Sequence, residues 1–118
     1  MADAGLFIGW GAVARGREKD AVDLFNEIVE YYGRLQEEGE IESFEPVFLE
    51  PHGGDLSGFV LIRGESEKLA TVRVSAEFTR YSIRAALVVD GFGVVGADLE
   101  ARLREQMGFY MEQVAAIA

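Results

Sequence analysis

Ile41–Gly64 reads IESFEPVFLEPHGGDLSGFVLIRG, and its punctuation decides the fold. Two alternating apolar runs flank Pro51-His52-Gly53-Gly54-Asp55, a cluster of turn-forming residues. That pattern predicts two strands joined by a tight turn. In the first strand Phe44, Pro46, Phe48 and Glu50 share one face, with Ser43, Glu45, Val47 and Leu49 on the other. In the second, Phe59, Leu61 and Arg63 oppose Gly58, Val60 and Ile62. Pro46 lacks an amide donor, which predicts an edge strand or a bulge there.

Upstream, Leu6–Ala14 is apolar throughout and rich in aromatic, β-branched and glycine residues, as in a strand buried on both faces. Gly9 and Gly11 alternate on the face of Phe7 and leave room for a close approach, most simply by a helix. Arg17–Glu38 carries Leu24, Ile28, Tyr31 and Leu35 beside Phe25, Val29 and Tyr32, the wide stripe of a long amphipathic helix. One row would cover a sheet, and the second is free to meet another surface. Gly39 is placed to end this helix.

Downstream, Ser66 is placed to cap a short helix to about Val74, although Val72-Arg73-Val74 also fits a strand. A second helix starts near Ser75 and runs to about Leu87. Val88–Val95 predicts the fourth strand, and Asp98 is placed to cap a last helix. That helix carries Leu99, Leu103, Met107, Tyr110, Met111, Val114 and Ile117 in one stripe.

The order is therefore β-α-β-β-α-β-α, an α+β, ferredoxin-like arrangement with an extra C-terminal helix. The 118 residues predict a single domain without repeats or linkers. Helices on one face of a four-stranded antiparallel sheet leave the other face uncovered. An apolar face of that size predicts a homodimer, two sheets stacking about a two-fold axis into a barrel.

Composition narrows the function classes. With no cysteine, disulfides, thiol catalysis and thiolate metal sites are excluded, and a cytoplasmic location is the default expectation. No apolar run approaches the roughly 20 residues of a membrane span. Met1-Ala2-Asp3-Ala4 lacks a basic region, so no signal peptide is expected. A net charge of −10 argues against nucleic acid and anionic membranes as partners. Seven acidic residues and no Lys or Arg lie between Arg34 and Arg63, an acidic edge that favours solubility.

The order of elements resembles the dimeric α+β barrel superfamily, which includes small monooxygenases, dismutases and isomerases. Within it, Glu42-Ser43-Phe44-Glu45-Pro46, Glu50-Pro51-His52-Gly53-Gly54-Asp55 and Val88-Val89-Asp90-Gly91-Phe92-Gly93-Val94-Val95 resemble a group of uncharacterised bacterial proteins. The resemblance implies a fold and a dimer, and carries no catalytic residues with it.

Three constellations bear on chemistry. Gly91-Phe92-Gly93-Val94-Val95-Gly96 matches G-x-G-x-x-G, but too little chain follows for the rest of a dinucleotide fold, so no nucleotide cofactor is expected. Glu50, His52 and Asp55 have the chemistry of a metal site, yet Pro51, Gly53 and Gly54 make a turn whose amides Asp55 would satisfy, and no metal is expected. Trp10, Phe44, Phe48, Phe59, Tyr81 and Phe92 are the aromatic residues available to line an apolar cavity in the barrel, with Arg63, Glu50 or Ser43 as polar anchors. Two functions follow. One is a dimeric binding module for a small apolar molecule. The other is a cofactor-free monooxygenase or isomerase using Arg63, Glu50 or His52 for polarisation or proton transfer.

Overall fold

A computed structural model describes residues 3–118. Its elements run β1 (Ala4–Trp10), α1 (Glu18–Glu37), β2 (Ser43–Phe48), β3 (Gly58–Gly64), α2 (Ser66–Val74), α3 (Ala76–Val88), β4 (Gly93–Asp98) and α4 (Glu100–Ile117). The four strands form one antiparallel sheet in the order β2-β3-β1-β4. This is the ferredoxin-like topology, with the first and third strands central and the hairpin strand β2 at an edge. Pro46 pairs with Val60 on that edge strand, where its missing donor costs no ladder bond to a further neighbour.

The register sorts the side chains. Leu6, Ile8, Val60 and Ile62 face the helices and are buried with Tyr31, Tyr32 and Leu35 of α1, Leu69 and Val72 of α2, and Phe78 of α3. Leu24, Ala85 and Val88 close a smaller cluster between α1 and α3. The other sheet face carries Phe7, Phe59, Leu61, Val47 and Val95, and no helix among the described residues lies across it. Phe7 stacks on Phe59 there, centroids 4.9 Å apart.

Several boundaries differ from the sequence reading. Val88 and Val89 do not begin the fourth strand: Val88 ends α3, buried beside Leu24 and Ala85, and Val89 makes an isolated bridge to Val13. Burial against α1 outweighs the strand preference of two valines. Val72-Arg73-Val74 is helical for the same reason, with Val72 in the core. Ser66 is the first residue of α2 and makes no cap, whereas the Ser75 hydroxyl accepts the Phe78 amide and caps α3. Asp98 closes β4 and binds Arg102 instead of capping α4.

The space over Gly9 is filled by the Phe7 ring and Leu56, not by a crossing helix. Phe48 points to the helix side of the sheet, so of Phe48 and Phe59 only Phe59 belongs to the open face. Gly39, at φ +76°, ends α1 as expected, since the left-handed region favours glycine.

Candidate functional site

Between α1, α3 and the helix side of the sheet lies a cavity of about 540 Å³. Ile8 and Val60 form its floor, Leu24 and Ile28 of α1 one wall, and Phe78 and Ala85 of α3 the other. The sequence builds this gap directly. Ala21 and Ala85 are small where α1 and α3 approach, so the helices line a space they do not fill.

Three aromatic rings form the mouth. Trp10 meets Phe25 edge-on at 6.3 Å and Phe48 at 6.1 Å, while Phe25 and Phe48 lie 5.1 Å apart. Trp10 ends β1 opposite Gly58 of β3. A Cβ on Gly58 would stand 2.7 Å from the indole, so that glycine is what lets the ring lie across the neighbouring strand. Phe48 is 68% exposed although it touches both other rings.

Polar groups are sparse. Glu18, Asn26 and Ser82 are the charged and amide or aliphatic-hydroxyl side chains of the lining, with the Tyr32 and Tyr81 rings and the Trp10 indole contributing mixed character. Two exposed ion pairs bridge α1 and α3 outside the cavity. Arg34 donates to both carboxylate oxygens of Glu77, at 3.2 and 3.0 Å, and Arg84 to both of Glu27, at 3.3 and 2.9 Å. The hydrogen bonds lower the pKa of both glutamates below the usual carboxylate value. Deeper in, burial raises the Tyr32 phenol well above its ordinary pKa, and burial also raises that of Tyr31.

The residues singled out from sequence do not form one site. Trp10, Phe48, Tyr81 and Phe92 line the cavity, which sits under the helices and not between stacked sheets. Phe44 packs on Tyr32 at 5.7 Å and belongs to the core. Phe59 is on the opposite sheet face. Arg63 is also on that face, paired with Glu45 at 3.3 Å, and Ser43 is its neighbour across the ladder. Glu50 and His52 are exposed in the β2–β3 connection.

In that connection His52, not Asp55, satisfies the turn. The Gly54 amide donates to His52 Nδ1 at 3.2 Å, and Nε2 lies 2.9 Å from the Leu56 carbonyl oxygen. Both ring nitrogens are thus engaged by backbone groups of the turn itself. A general base needs a ring nitrogen free to face a substrate. Among the described residues, Glu50, His52 and Asp55 do not assemble a group able to hold a metal. Gly91–Gly96 spans a turn and then β4, so the strand-turn-helix setting of a phosphate loop is absent from this segment.

Sequence reasoning missed Phe25, Ala21, Asn26 and Ser82 as lining residues. The available signal was the double stripe of α1, in which Phe25 sits in the second row.

The fold and cavity define an α+β domain of ferredoxin-like topology. No protein-family profile and no curated protein matches the sequence. A solved structure that it resembles is a dimeric protein of unknown function and ferredoxin-like fold from Bacteroides fragilis. The two superpose with a TM-score of 0.59 at 10% sequence identity, over 81% of this chain and 96% of that one. No helix among the described residues is long and apolar enough to cross a membrane.

Proposed function

We propose that this protein is a homodimeric binding domain, cytoplasmic in location, that holds a small neutral or cationic apolar molecule in the cavity beside Trp10. The cavity carries the reading. Its 540 Å³ falls within the range of small-molecule sites, and its lining is apolar and aromatic with a few polar groups to orient a ligand. The charge of the ligand follows from the protein. At a net charge of −10, with Glu18 in the lining, an anionic amphiphile is repelled where a neutral or cationic one is not.

The dimer is supported by the open sheet face, where Phe7, Phe59 and Leu61 remain half-buried with nothing across them. The neighbouring fold from Bacteroides fragilis, itself a dimer, is consistent with that assembly. An enzyme would require reactive groups converging on a bound substrate. Glu50 and His52 lie in the β2–β3 connection, Arg63 lies across the sheet, and none of the three lines the cavity.

Native mass spectrometry of the purified protein, alone and with the neutral probe N-phenyl-1-naphthylamine, tests both halves. The expected species is a dimer taking up one probe per chain, with no uptake of an anionic naphthalene sulfonate at equal concentration. A monomer would overturn the assembly. Uptake of neither probe, or equal uptake of both, would overturn the ligand assignment.

A further inference from the structure

The helix α4 has 18 residues and not one of them is buried. Leu103, Met107, Tyr110, Met111 and Val114 stand between 43 and 64% exposed along a single stripe, and Ile117 is 85% exposed. An isolated helix of that length is marginal in water, because helices in proteins are stabilised chiefly by burying an apolar face. The stripe therefore needs a partner surface.

The junction that aims the helix is fixed. The Leu99 amide donates to the Asp3 carbonyl at 3.0 Å, extending the β1–β4 ladder by one bond. Glu100 follows at φ +49°, the only non-glycine residue with positive φ among the described residues. That conformation is costly for a side chain bearing a Cβ, and it persists where surrounding structure enforces it. Arg102 Nε then binds Asp98 at 3.1 Å across the bend. From this junction the helix leads away from the packed core, which none of its residues enters. The radius of gyration is 16.2 Å, against about 13.5 Å for a compact chain of this length.

We propose that α4 is an exchanged arm: in the homodimer, the α4 of each chain lies against the open sheet face of its partner. The proposal rests on the homodimer reading above, and it puts the partner's helix, in place of the partner's sheet, on the open face. Two uncovered apolar surfaces occur in one chain, and a second copy supplies the missing cover for both at once through a single two-fold operation. They are also continuous. Leu99, at the head of the α4 stripe, already lies on the open face, its Cδ1 3.3 Å from where a Cβ on Gly5 would be. The dimensions agree as well. Eighteen helical residues span about 27 Å, enough to cross four strands spaced about 4.8 Å apart.

The test uses the full chain with Tyr110, 64% exposed on α4, replaced by the photoreactive p-benzoylphenylalanine. Irradiated product is sized under denaturing conditions and its linked peptides are sequenced, beside native mass spectrometry of the unmodified protein. The exchanged arm gives product at twice the 13.0 kDa of one chain, linked to peptides from Ala4–Trp10, Ser43–Phe48, Gly58–Gly64 or Gly93–Asp98. Product at the mass of one chain means that α4 folds back on its own sheet. Links from α4 to α4 mean that the helices pair with each other. Either of these, or no product from a protein that native mass spectrometry finds dimeric, overturns the arm and leaves the dimer standing. An unmodified protein that is monomeric overturns both.

Discussion

Phe7 and Phe59 stack on the uncovered face of the sheet, ring centroids 4.9 Å apart and planes inclined by 28°. Trp10, at the end of the same strand as Phe7, turns its indole to the other side, toward Phe25 and Phe48. One strand thus serves two surfaces. The proposed dimer uses the first and the proposed ligand site the second, so the two are separable by mutation.

Phe59→Glu places a carboxylate in the sheet face and is expected to weaken dimerisation by at least about 3 kcal/mol, roughly a hundredfold or more. Phe48→Glu, on the helix side, is expected to leave the dimer intact. Light scattering on both variants checks this, and equal masses for the two would refute the assignment of faces.

Ser82→Phe fills the cavity from α3 without touching the open face. Probe affinity is expected to fall at least tenfold while the far-ultraviolet circular dichroism and the dimer mass stay unchanged. Ser82→Ala, which leaves the volume open, is expected to retain binding within a few-fold. Loss of binding in both variants would mean that the hydroxyl, not the space, matters.

His52→Ala removes a side chain that is exposed and bonded only within its own turn. The expected cost is within about 0.5 kcal/mol, the range of surface substitutions. Urea denaturation measures it, and a loss of several kcal/mol would give His52 a structural role beyond the turn.

Tyr32 predicts an alkaline limit to stability. Burial raises its folded-state pKa above the unfolded value, so between the two the folded chain holds a proton that the unfolded chain has released. Its contribution is fully present below about pH 10 and declines as pH rises above it, by up to about 1.4 kcal/mol per unit. Tyr31 shifts in the same direction. Tyr32→Phe is expected to flatten the fall in unfolding free energy between pH 10 and 11, and an unchanged slope would count against burial of the phenol.

Much of the fold is legible in the sequence because local and tertiary preferences agree. Pro46 marks β2 as an edge strand, Gly39 ends α1, and alternation in Ile41–Gly64 sorts the two faces of the hairpin. The fourth strand is misplaced because valines 88 and 89 favour strand locally, while contact with Leu24 and Ala85 holds the first of them in a helix. Alternation also cannot reveal which face of the hairpin the helices cover, and for that reason Phe48 and Phe59 fall together in the sequence reading and apart in space. The cavity is half legible. Aromatic residues such as Trp10, Phe48 and Tyr81 stand out, but the alanines that create the space, Ala21 and Ala85, read as ordinary helix formers.

The single tryptophan of the chain gives a site-specific readout of ligand binding. One indole N–H gives one side-chain cross-peak in a ¹H–¹⁵N spectrum, and it reports on the mouth of the cavity. Titration with N-phenyl-1-naphthylamine is expected to move that peak along a saturable curve, and the Ser82→Phe variant to lose the movement. An indole peak that stays fixed at millimolar probe, in protein that remains folded, would contradict a ligand site beside Trp10.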